Sequence, residues 1–146
     1  MQERLQWIAK PPASWLDWEP LRGGMQGHAL VAQRYPQAQP WVYTAHAGHA
    51  EQLRKALGKP WWDMGRWAAK QPRFGLPAAG QEVEMLWANM QLHMAADPQA
   101  LLGQWQRALA VDGFVMFSCL GPDTAQELRA AYQRAGWPAA GHSFTD

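Results

Sequence analysis

Little in this chain of 146 residues assigns it to a class by composition alone. Cysteine occurs once, at Cys119, which excludes an internal disulfide and suits a reducing compartment. No apolar run approaches the roughly 20 residues of a membrane span, and Glu3 and Arg4 lead into no signal-peptide core. These absences point to the cytoplasm. Neither sign of charge is in excess: 13 basic and 12 acidic residues leave a formal charge of +1. No strong field therefore draws nucleic acid or an acidic membrane. Internal repeats and low-complexity tracts are absent, and so is the dinucleotide-binding pattern G-x-G-x-x-G. The length is that of one domain, 1–146, able to bury a core without disulfides or metals.

Tryptophan, in contrast, is abundant, with ten residues. Trp15, Trp18, Trp41, Trp87 and Trp105 fall on predicted strands or on a helix stripe, where indoles fill a core. The Trp61-Trp62 pair, between Pro60 and Asp63, stands apart and reads either as a binding surface or as simple packing.

Residues 82–133 carry the clearest pattern: strand, polar loop, capped helix, strand, polar loop, capped helix. Residues 83–87 are a short apolar run of the kind buried on both faces of a sheet. Residues 89–96 read as loop. Asp97 is placed to N-cap a helix whose first turn holds Pro98, since the amide proline lacks has no partner there. Leu101, Leu102, Trp105, Ala108 and Leu109 share one helical stripe. Asp112-Gly113 reads as a turn and residues 114–119 as a second buried strand, with Cys119 inside it. Thr124 and Glu127 have capping-box spacing before a helix with Leu128, Ala131, Tyr132 and Ala135 on its apolar face, stopped by Gly136. A right-handed crossover then sets the two strands side by side and parallel.

The amino half supports the same architecture. After an extension, 1–13, residues 14–18 read as a first strand. A helix over 25–34 ends near Tyr35-Pro36, because proline disfavours helical geometry in the residue before it. Residues 41–44 form a second strand and 47–57 a third helix, stopped by Gly58 and Pro60. Residues 59–81, rich in proline and glycine, read as an irregular linker with one short strand near Arg73-Phe74. The fold class is therefore α/β: a Rossmann-like, mostly parallel sheet with helices on both faces.

An open sheet of this kind binds ligands at the carboxyl ends of its strands, where glycine-rich turns let backbone amides approach. Here the first turn carries Glu19 and Pro20 before Gly23 and Gly24. A carboxylate there repels a pyrophosphate but accepts from a hydroxyl or ammonium group, which counts against a nicotinamide-dependent oxidoreductase. His28, His46, His49, His93 and His142 are scattered without a Cys or acidic companion pattern, so no metal site is expected. Ser118-Cys119 lacks the G-x-S-x-G of a nucleophile elbow, and no catalytic residue stands out.

The 82–133 pattern, with Asn89 and the Phe-Ser-Cys-Leu-Gly-Pro-Asp-Thr run at 117–124, resembles the class I S-adenosylmethionine-dependent methyltransferases. Within them it is similar to the malonyl-acyl-carrier-protein O-methyltransferases of biotin synthesis. The resemblance spans roughly 14–146, and the final HSFTD (142–146) is similar to the segment entering the family's next helix. It implies S-adenosylmethionine as cofactor, a small-molecule or carrier-linked acyl acceptor, and Asp17, Glu19, Gly23, Gly24, Thr44 and Asn89 around the cofactor. It also implies a further helix and an antiparallel hairpin beyond Asp146, without which an uncovered sheet edge is open to a second copy of the chain.

Two departures from the family pattern bear on the cofactor. The family's acid and G-x-G-x-G turn align with Asp17 followed by Glu19, Leu21 and Gly23, and its ribose-gripping acid after the second strand aligns with Thr44. Two functions follow as expectations: methyl transfer to the free carboxylate of a malonyl thioester, or a methyltransferase-like domain that has lost its cofactor and acts as a binding or regulatory partner.

Overall fold

A computed structural model describes residues 1–58 and 70–141, leaving aside the Gln2 side chain. Five strands, β1 (Ser14–Trp18), β2 (Gln39–Tyr43), β3 (Arg73–Phe74), β4 (Val83–Asn89) and β5 (Leu109–Ser118), form one sheet in the order β3-β2-β1-β4-β5. Every pairing is parallel. Between them run α1 (Pro20–Gly23), α2 (Met25–Arg34), α3 (Ala47–Leu57) and α4 (Pro98–Ala108), with α5 (Gln126–Arg134) after β5. This is the expected doubly covered α/β sheet. The Trp61-Trp62 pair and residues 142–146 lie outside the described residues. Among the described residues, no helix is long and apolar enough to cross a membrane.

The period of two along each strand divides the core. Trp15, Met85 and Trp87 face one side, against Val31 of α2 and Leu5 of an amino-terminal 3-10 helix, Gln2–Trp7. Leu16, Trp18, Leu86 and Ala88 face the other, against Trp105 and Ala108 of α4. The five tryptophans assigned to the core are all buried. Each is worth a few kcal/mol of burial, about 25 cal/mol per Å² of apolar surface, so they dominate the stability of both layers.

The start of α4 follows its local signals. Asp97 accepts from the Ala100 amide at 2.9 Å, and Pro98 opens the helix. At its other end the expectation fails. The helix passes straight into β5 at Leu109, and Asp112-Gly113 is a bulge within β5, with Asp112 at φ 63° and the register against β4 shifted between Val83 and Met85. A bulge and a turn use the same left-handed geometry, so the dipeptide does not separate them. Leu102 is exposed, and Leu109 belongs to the strand.

Two further expectations are corrected. Cys119 is exposed, because it lies just past β5, the edge strand of the described sheet. The Thr124–Glu127 capping box does not form: Ala125, in the left-handed region, begins α5 with no side-chain cap, and no residue of α5 is buried. Gly136, at φ 68°, does terminate it.

Candidate functional site at the tips of β1, β2 and β4

Strand order reverses at β1. The chain runs outward from β1 through β2 to β3, then returns to place β4 on the other side of β1. The loops after β1 and β4 consequently diverge to opposite faces and leave a crevice at the carboxyl ends of the strands. The turn after β1, residues 19–24, lies there. Glu19 adopts left-handed φ 55°, ψ 54°, at a cost of about 1 kcal/mol or more for a residue with a Cβ. Pro20 then opens the single turn of α1.

Gly23 has a steric reason to be glycine. A Cβ there would stand 2.9 Å from the Asn89 carbonyl oxygen, so the turn could not lie against β4. Gly24, at φ 100°, redirects the chain into α2. Gly23 and Asn89 are in direct contact: Asn89 Nδ2 donates to the Gly23 carbonyl. The other half of the same amide, Oδ1, accepts from the Ser118 hydroxyl, and Gln91 Nε2 donates to the Asn89 carbonyl at 2.9 Å. Asn89 thus ties together the turn after β1, the end of β4 and the end of β5.

Glu19 and Thr44 also meet. The Glu19 carboxylate is buried and reaches across to the end of β2, where it accepts from Thr44 Oγ1 at 2.7 Å and from the Ala45 amide at 2.6 Å. His49 Nδ1, from α3, lies 3.8 Å away. Asp17 stands elsewhere. It points to the α2 side of the sheet, where its carboxylate lies 2.9 Å from His28 Nδ1. Burial pushes the Asp17 carboxyl above its ordinary value, against the hydrogen bond and charge of His28.

Glu19 lines a cavity of about 220 Å³ with Trp18, Tyr43, His46, Gln91 and Leu101. The rings of Trp18 and Tyr43 lie 4.4 Å apart. Two other cavities, of about 350 and 510 Å³, lie near the amino ends of β4 and β5 and along β5. Neither includes the turn after β1. His28, Gln91 and Ser118 belong to the supporting framework, and sequence reasoning did not place them there. Ser118 bonds Asn89 across 29 residues and His28 meets Asp17 across 11, with no local spacing to announce either, while Gln91 bonds the Asn89 carbonyl just two residues before it.

The comparisons with known proteins bear on the fold and on sequence similarity. No family model matches the chain. A malonyl-acyl-carrier-protein O-methyltransferase of Laribacter hongkongensis is 35% identical over 97% of this chain and 48% of its own. The chain is a relative of the malonyl-acyl-carrier-protein O-methyltransferases. A second such protein, from Gallionella capsiferriformans, is 31% identical over 91% of this chain and 46% of its own. The chain spans about half the length of the curated relatives it matches. Among solved structures, the plantazolicin methyltransferase BpumL with SAH superposes at a TM-score of 0.63, with 14% identity, over 89% of this chain and 48% of that one. An O-methyltransferase from Nostoc punctiforme, described as putative, superposes at 0.55, with 19% identity, over 99% and 44%. The fold is that of the class I methyltransferases.

Proposed function

We propose that this chain forms the cofactor-binding part of an S-adenosylmethionine-dependent O-methyltransferase that esterifies the free carboxylate of a malonyl thioester in biotin synthesis. The observation that carries the reading is the glycine-bearing crevice at the tips of β1 and β4, where strand order reverses. Sequence similarity supplies the name of the reaction. The residues present fit such a cofactor in kind. Glu19 retains acceptor capacity for hydroxyl groups, Trp18 and Tyr43 line the cavity beside it, and among the described residues nothing stands within 4 Å of where a Gly24 Cβ would be.

When bound, the cofactor supplies an electrophilic methyl group. The chain contributes orientation and the exclusion of water. An ionised carboxylate acceptor is already a nucleophile, so the reaction needs no general base among these residues. We assign Asp17, Glu19, Gly23, Gly24, Thr44 and Asn89 to the cofactor's surroundings. Asp17 and Asn89 act there through the backbone they hold: Asp17 fixes α2 by way of His28, and Asn89 fixes Gly23. The reaction is cytoplasmic, its partner is a small-molecule or carrier-linked acceptor, and it needs neither nucleic acid nor membrane.

One observation favours the second reading, a methyltransferase-like unit without cofactor that acts as a binding partner. The Glu19 carboxylate already has two internal donors inside the crevice. Methyl-labelled S-adenosylmethionine offered together with malonyl-acyl-carrier protein separates the two. Labelled ester is the expected product; absence of both transfer and calorimetric binding of SAH favours the partner role.

A further inference from the structure

We propose that Glu19, delivered from β1, is the carboxylate that recognises the paired hydroxyls of a nucleoside's ribose at the end of β2, with Thr44 as its positioning residue. This rests on the cofactor reading above and deepens it. The aligned position after β2 is a threonine, yet the carboxylate charge is present at that place: it arrives from the neighbouring strand.

Three observations carry the assignment. The first is backbone conformation. Glu19 holds left-handed φ and ψ, which glycine adopts without steric penalty, so the turn carries a side chain against its own preference. The second is how the carboxylate is held. The His46 amide donates to Thr44 Oγ1 at 3.2 Å, and Thr44 Oγ1 donates in turn to Glu19 Oε2 at 2.7 Å, while the Ala45 amide takes Oε1 at 2.6 Å. Among the described residues each oxygen accepts one protein hydrogen bond, with His49 Nδ1 beyond bonding distance at 3.8 Å from Oε2, and each keeps capacity for another, which matches two adjacent hydroxyl donors. The third is what the carboxylate faces. The cavity it lines is walled by the Trp18 and Tyr43 rings, against which an apolar base or sugar face can pack.

The same charge sets a limit on the ligand. A buried carboxylate with its donors already arranged repels phosphate oxygens, so the site takes a nucleoside bearing free hydroxyls and rejects a nucleotide phosphorylated on the ribose ring.

The test is calorimetric titration of the whole chain with SAH and with an SAH analogue lacking both ribose hydroxyls. Wild type is expected to bind SAH more tightly than the analogue by about tenfold to hundredfold for each of the two missing hydroxyls, the worth of one charge-assisted hydrogen bond apiece. Glu19→Gln is expected to lose that discrimination. Glu19→Gly suits the left-handed backbone, so it keeps the fold by circular dichroism and loses discrimination too. Glu19→Gly with Thr44→Asp is expected to regain it. If Glu19→Gly binds SAH as tightly as wild type and still discriminates, the assignment is overturned while the cofactor reading stands. If wild type shows no heat with SAH up to millimolar concentration, the cofactor reading fails and the assignment with it.

Discussion

Replacing Asn89 by alanine tests how the turn after β1 is held against the sheet. The amide makes two side-chain bonds in opposite senses: Nδ2 donates to the Gly23 carbonyl and Oδ1 accepts from the Ser118 hydroxyl. Asn89 is half-buried, so water replaces these partners only in part. At about 1 kcal/mol net per bond, Asn89→Ala costs about 2 kcal/mol. In a domain of this size that lowers Tm by roughly 4–8 °C. Ser118→Ala removes one of the two bonds together with the 3.2 Å bond that the hydroxyl accepts from the Met90 amide, an amide that keeps the Ser118 carbonyl at 2.9 Å, so it costs about 1 kcal/mol or slightly more. Asn89→Asp keeps the acceptor for Ser118 but turns a carboxylate oxygen toward the Gly23 carbonyl, so it destabilises more than alanine does. Urea denaturation of the three variants, with calorimetric Tm values, measures the series. An Asn89→Ala protein within about 0.5 kcal/mol of wild type, the range of an ordinary surface change, would refute the clamp. So would an aspartate milder than the alanine.

Two further outcomes are expected. Burial holds the Asp17 carboxyl above its ordinary value of 3.8, so the folded state binds that proton more tightly than the unfolded chain. The stabilisation is complete below about pH 4 and is lost as pH rises through the raised value. Wild type should lose stability relative to Asp17→Asn as pH increases over that window in urea titrations, and a gain would contradict the burial argument. Trp105 is 1% exposed and packs edge-on to Trp18 at 6.1 Å. Trp105→Ala should cost about 3–5 kcal/mol. Trp105→Phe, which also removes a buried indole N–H that has no acceptor among the described residues, should cost clearly less in the same assay.

Much of the fold was legible because its signals are local. Residues 14–18, 25–34 and 47–57 appear as expected, since each is bounded by a proline, a glycine or a change of hydrophobic period. The start of α4 is likewise announced by Asp97-Pro98. Non-local choices were not legible. The apolar run before Cys119 read as a strand covered on both sides, but its exposure depends on which strands flank it, and β5 lies at the edge of the described sheet. The stripe of Leu128, Ala131 and Tyr132 states which face of α5 favours burial, not what stands opposite it. At the site, sequence placed Glu19 at a glycine position and Thr44 at an acid position as two separate departures. Only the geometry joins them, through a bond spanning 25 residues.

The account rests on a crevice at the tips of β1, β2 and β4 that takes an adenosyl ligand. Amide chemical-shift mapping of the whole chain during titration with SAH tests it most directly. Saturable shifts clustered at residues 18–24, 43–46 and 89–91 are the predicted result. No saturable shift up to millimolar ligand, or shifts confined to 7–12 and 111–114 at the opposite end of the sheet, would contradict it.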